Sequence, residues 1–194
     1  MKTLLADLRT SLFLTLIFAV LLCGVYPLAV WAGAQTLFPA QANGSLITDA
    51  AGTVRGSALL AQSFTSPRYF HPRPSAAGTG YDATASSGTN LGPTSQKLAD
   101  AIKARVAAYR TTNALSPTTP VPADAVTASA SGLDPHISLA NAQLQAPRIA
   151  AARNLPLPQI TAALAADTHT RDLGIFGEPT VNVLQLNLAL DQLH

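Results

Sequence analysis

The chain has 194 residues, of which 11% are charged, and a formal net charge of +2. From Gln35 onward ten Lys/Arg stand against nine Asp/Glu with no basic stripe, which excludes a nucleic-acid-binding surface. The single cysteine, Cys23, excludes an intramolecular disulfide, and no Cys-His spacing suits a zinc site.

No charged residue falls between Arg9 and Asp49. Within that stretch Leu12 to Ala34 is long and apolar enough to cross a bilayer as one helix, which needs about 20 such residues. Lys2 and Arg9 precede it, and the next basic residue is Arg55. The positive-inside rule therefore predicts a cytoplasmic tail over 1–11, a span over 12–34 and a soluble extracytoplasmic domain over 35–194. The apolar run exceeds the 7–15 residues of a secretory leader, so a retained anchor is expected. Pro27 lies inside the span and withholds a hydrogen bond from the carbonyl of Cys23. A carbonyl freed in lipid calls for a neighbouring helix or side chain.

Beyond the span, Ser45 to Gln62 reads as two short strands or a hairpin. Ser63 to Pro93 is dense in Pro, Gly, Ser and Thr, a loop of about thirty residues, a length that is usually functional or disordered. Its aromatics argue for order. Tyr69, Phe70, His71 and Arg73 are its candidates for a partner interface, where aromatics and Arg act as anchors; the competing reading has the aromatics closing the core. Asn90 is a further partner candidate that also suits its own turn.

Start signals at Pro93 to Ser95 open a helix with Leu98, Ile102, Val106 and Tyr109 on one stripe, expected to be core. Thr111 to Pro122 is a linker. In Ala123 to Ile137, Gly132 permits close backbone approach. Ser138 caps a helix over Leu139 to about Asn154, with a kink or a split expected at Pro147. Arg148 and Arg153 on this helix are placed to pair with Asp124 or Asp134. Pro158 starts a short helix through Asp167 that buries Ile160 and Leu164. Asn182 opens a last helix with Val183, Leu186, Leu190 and Leu193 on one face. The fold class expected is α+β, one transmembrane helix followed by a single small domain of several helices and a few short strands.

Catalytic patterns are missing. Asp134 and His136 with Ser129 or Ser131 can be drawn as a triad, which keeps a membrane-anchored external hydrolase as an alternative. But neither GxSxG nor SxxK occurs, and no GxxxxGK[ST] phosphate loop is present. Asp134 and His136 stand instead as partner-interface candidates. No catalytic residue and no metal ligand is assigned.

Several strings, taken together and in order, carry a resemblance. They are GVYPL (24–28), QANGSLI (41–47), VRGSALLAQSF (54–64), YFHPRPSA (69–76), SSGTNLGPTS (86–95), VPADAVTASASGLDPHIS (121–138), QAPRIAAARNL (145–155) and GEPTVNVLQLNLALD (177–191). The chain closely resembles the C subunit of the bacterial Kdp potassium-transporting ATPase, a P-type pump. The resemblance implies a non-catalytic accessory subunit of a high-affinity potassium uptake pump in the cell inner membrane. It implies a channel-like potassium-binding subunit and an ATP-hydrolysing subunit as partners, with support of complex assembly as its role. It further implies a catalytic chaperone that raises the ATP affinity of the hydrolysing subunit. That idea attaches to a glutamine matched here by Gln145, and the SASG of Ser129 to Gly132 loosely echoes a transporter signature motif.

Two departures matter. Ser87 and Thr89 replace Gly and Ser of the usual SGGSN, and Ala130 replaces a Gly, which weakens phosphate cradling by glycine amides. A domain outside the membrane cannot meet cytoplasmic ATP, and about eleven cytoplasmic residues cannot form a nucleotide site. An indirect ATP effect, with ATP held by the complex rather than by this chain, or a periplasmic cap shaping potassium entry, follows from the charge rule.

Overall fold

A computed structural model describes residues 2–49 and 51–193. The chain forms two compact units, residues 1–46 and 47–194.

The first unit is a continuous helical rod over Thr3–Leu37, 35 residues, with none of its most apolar window buried. It is the one helix among the described residues long and apolar enough to cross a membrane. It comprises α1 (Lys2–Val20), a π turn (Leu21–Val25) and α2 (Tyr26–Leu37). The wide turn answers the Pro27 problem. A proline ring collides with the carbonyl four residues back, and an inserted π turn is a common way for a helix to absorb it. Here the N–H of Tyr26 reaches the Leu21 carbonyl, five residues back. A short helix, α3 (Pro39–Ala42), follows.

The second unit has the α+β composition expected. β1 (Leu46–Thr48) and β2 (Val54–Ser57) form the anticipated two-stranded sheet. No helix or strand occurs between Ser57 and Gln96. α4 (Gln96–Thr112) is capped by Ser95, whose Oγ accepts from Leu98 N–H. The three-stranded antiparallel sheet has the order β3-β5-β4, from β3 (His136–Ser138), β4 (Thr168–His169) and β5 (Thr180–Asn182). The register sets His136 opposite Asn182 and Ile137 opposite Val181, with Thr168 on the other side of Val181.

α5 (Leu139–Arg153) is capped by the Ser138 hydroxyl, which accepts from Asn141 N–H at 3.1 Å. α6 (Leu157–Ala166) and α7 (Val183–Leu190) complete the unit, α7 capped by Asn182 as expected. The core joins Ile137 and Val181 of the sheet to Ala142, Ala146 and Ile149 of α5, Ile160 and Leu164 of α6, and Val183, Leu186 and Leu190 of α7. Each large side chain so buried contributes about 1.5–3 kcal/mol.

One expectation is narrowed and one corrected. Of the kink or split expected at Pro147, the split does not occur, and α5 runs through it as one helix. The ring lies on the exposed face, and so does Gln143, whose carbonyl it leaves without an N–H, so water can serve it. The α4 stripe is half-buried, and no residue of that helix is fully buried. Tyr109 reaches Asn141 of α5 and Arg105 reaches the Val126 carbonyl, while a cavity beside Arg105 and Tyr109 leaves that face of α4 partly open.

Candidate functional site

The long loop is ordered by side chains of α5 and α7 that replace a partner strand. Asn187 of α7 accepts from Phe70 N–H at 2.8 Å and donates to Phe70 C=O at 2.9 Å. Gln145 of α5 does the same one residue on. Its Oε1 accepts from His71 N–H at 2.7 Å, and its Nε2 donates to His71 C=O at 3.1 Å. A carboxamide offers a donor and an acceptor side by side, which is what an extended backbone presents. Successive residues of an extended chain turn opposite edges outward, so two amides on opposite sides can clamp two consecutive residues.

Gln145 has no capacity left over. Its Nε2 also donates to Asn141 Oδ1 at 2.9 Å, and its Oε1 also accepts from Arg148 Nη2 at 3.0 Å. The residue is 1% exposed. Asn141, Gln145 and Arg148 recur at i, i+4 and i+7, one face of a helix. That polar stripe beside Ala142, Ala146 and Ile149 was the sequence signal for the clamp, and reading the positions separately missed it.

Arg148 and Arg153 do not pair with Asp124 or Asp134. Arg148 donates to the carbonyls of Pro67 and Tyr69 and to Asn113 Oδ1. Arg153 donates to the carbonyls of Arg68 and Leu190 and forms an ion pair with Asp191 at 2.8 Å. Its guanidinium lies 5.1 Å from the Tyr69 ring centroid, and Tyr69 Oη donates to Asp191 Oδ2 at 3.0 Å. Loop carbonyls bring five-donor guanidinium groups more partners than a lone carboxylate would. Asp124 is occupied by the Ser138 hydroxyl and amide and by Asn141 Nδ2.

The interface candidates therefore separate. Phe70 is fully buried in the core, so its side chain is no surface anchor. Tyr69 and His71 are half-buried, and Asn90 is exposed with φ of +52°. Arg73 Nη1 meets Asp134 Oδ2 at 2.8 Å, and Asp134 Oδ1 accepts from His136 N–H at 3.0 Å. Desolvation raises the Asp134 pKa, but bonds from His136 and the Arg73 charge outweigh it and hold the carboxyl at about 2. His136 Nδ1 is 3.5 Å from Asp134, and its ring meets His169 edge-on at 6.3 Å. The serines of the drawn triad lie elsewhere in their bonding: Ser131 Oγ accepts from Leu133 N–H and sits 3.4 Å from Ser129 Oγ.

Gly132 closes the loop from the other side. Its φ is +68°, and a Cβ there would stand 2.6 Å from Ala77 N and from Ser87 O. Ser87 itself has no positive φ, and its N–H donates to Ser131 C=O at 3.0 Å. Between the loop, α4 and α5 lies a cavity of about 440 Å³, with His71, Tyr81, Arg105, Tyr109 and Gln145 on its walls. Burial, and then the Arg148 charge, push the His71 pKa below its usual value. Among the described residues no group of three or more His, Cys, Asp or Glu could hold a metal ion.

The sequence model of one family, described as "K+-transporting ATPase, c chain", matches residues 8–192. A relative from Mycobacterium tuberculosis strain H37Rv is 55% identical over 187 residues, 96% of this chain and 98% of the relative. One from Caulobacter vibrioides strain NA1000 is 55% identical, covering 96% and 93%, and one from Caulobacter sp. strain K31 is 54% identical, covering 96% and 94%. All three carry the name "Potassium-transporting ATPase KdpC subunit".

Proposed function

The chain belongs to the family of the K+-transporting ATPase c chain, and from that premise we propose that it is a non-catalytic accessory subunit of an ATP-driven potassium uptake pump. It joins a channel-like potassium-binding subunit and a P-type ATP-hydrolysing subunit, and supports their assembly. Its long helix anchors it in the inner membrane, N-terminus in the cytoplasm, with residues 35–194 on the periplasmic side. The observation that carries this reading is the extent of the kinship, 55% identity over 96% of the chain and 98% of the relative.

Any rise in ATP affinity that it brings to the hydrolysing subunit is indirect. Gln145, the position tied to ATP by resemblance, is buried and makes four hydrogen bonds inside the fold. Exposing its amide to a nucleotide would strand the backbone of His71. The charge rule separates the domain from cytoplasmic ATP as well.

The test is a cysteine at Ser116, on an exposed loop, with Cys23→Ala, probed by a membrane-impermeant thiol reagent on intact spheroplasts. Labelling is expected. Protection until the membrane is broken would reverse the orientation and return direct ATP contact to first place. Deleting the chain should abolish potassium uptake at low external potassium, and unchanged uptake would overturn the accessory role.

A further inference from the structure

The cavity between the long loop, α4 and α5 has about 440 Å³ of room, within the range of sites that enclose a small molecule. Among the described residues that line it, Arg105 of α4 is the one Lys or Arg, and there is no Asp, Glu or Gly. Arg105 Nη1 donates to the Val126 carbonyl at 3.1 Å. No carboxylate pairs with Arg105 among the described residues, so its Nε and Nη2 edge has no protein partner. Asp124, whose charge reaches Tyr109 on the same wall, is spent on the Ser138 hydroxyl and amide and on Asn141 Nδ2, and the Arg148 charge opposes it. His71 adds no second cation at neutral pH. Its Nε2 lies 3.1 Å from the Ser66 carbonyl, which only accepts, so Nε2 holds the proton, and burial keeps the ring neutral. Flat apolar groups complete the walls, among them Phe64, Tyr81, Pro72 and Pro74.

We propose that this cavity is a binding site for a free aryl monocarboxylate, with its carboxylate on Arg105 and its ring among Phe64, Tyr81 and the prolines. The open edge of a guanidinium takes both oxygens of one carboxylate through two parallel bonds. One uncompensated cation selects one negative charge. A nucleotide is a poor match, because a polyphosphate calls for several cations or a cradle of glycine amides, and neither is on these walls. The flat apolar walls select the body, since a ring buried among rings and prolines leaves water and stacks in the same step. The occupant bridges the loop to α4 and α5, and so stabilises the folded domain as any ligand of the native state does.

The experiment follows para-fluorobenzoate by fluorine NMR with the full chain in lipid nanodiscs, against empty nanodiscs. Broadening by the chain beyond that of empty discs is expected, reversed by unlabelled benzoate and not by benzamide, its neutral isostere. Arg105→Gln should weaken binding at least about tenfold, the loss of a charge-assisted pair. Ala108→Phe, which fills the cavity from α4, should abolish binding with circular dichroism unchanged, and it decides the matter if the Arg105 variant does not fold. No broadening beyond empty discs, equal competition by benzamide, or wild-type binding by either variant would overturn the proposal. Stronger competition by inorganic phosphate or ATP would make this a phosphate site, and by a peptide ending in Phe a polypeptide site; either result overturns it too.

Discussion

Gln145 shows how one buried carboxamide can hold a loop in place. Its amide pairs with both the N–H and the C=O of His71, and it also orients Asn141 and Arg148. Each buried polar group left unsatisfied costs about 1–3 kcal/mol. Gln145→Ala should therefore destabilise the chain by about 2–4 kcal/mol, read as a lowered thermal midpoint, with any change in ATP response following the loss of fold. An altered ATP response at full stability would instead favour direct contact. Asp134 makes a pH prediction. Its folded pKa of about 2 lies below the ordinary aspartate value of 3.8. A depressed carboxylate stabilises above the unfolded pKa, and that contribution fades as pH falls through the folded value. Stability from the Asp134 contacts should be complete above about pH 4 and drain away toward pH 2. Asp134→Asn should flatten that part of an acid-unfolding curve while lowering stability at neutral pH. His71 acts in the same direction at higher pH. With its folded pKa below 6.5, the unfolded chain takes the proton first, and stability declines as pH drops below 6.5.

Among the elements, the loop from Ser63 to Pro93 depends on close backbone approaches as much as on the amide clamps. Gly132 is the sharpest of these. Gly132→Ala should force Ala77 and Ser87 apart and cost at least about 2 kcal/mol, since strain in φ and a backbone clash act together. The expected readout is faster proteolysis within 75–88, with α5 intact by circular dichroism. Gly174→Ala is the control. Its φ is +77° but nothing lies within 4 Å of the added Cβ, so only the conformational penalty of about 1–2 kcal/mol applies. Helix ends were the most legible elements, because Ser95, Ser138 and Asn182 each announce a cap by residue type and each accepts from an N–H three residues on. The three strands of the second sheet are two or three residues long, too short for an alternating pattern to register.

At the scale of the whole molecule, we propose that an indirect influence on ATP passes through the apolar helix over Thr3–Leu37. A protease site inserted between Phe38 and Ser45 offers a check. Cutting it in the assembled pump should abolish the chain's effect on ATP half-saturation while the released domain keeps its thermal melt. A persistent effect after complete cleavage would mean that the domain acts without its helix.

The apolar run of the anchor, the caps and the burial of Ile160 and Leu164 were legible in the chain, because each depends on neighbours within about one helical turn or on composition over a short window. The family was legible too, since its strings lie in order along the chain. The loop's conformation was not. Phe70 reads equally as a surface anchor or as core closure until Asn187, 117 residues away, is found clamping its backbone. Arg148 and Arg153 read as carboxylate partners until the carbonyls of Pro67 to Tyr69 are brought to them. Those partners are set by which face of α5 meets the loop, a matter of packing across the domain that spacing along one segment does not encode.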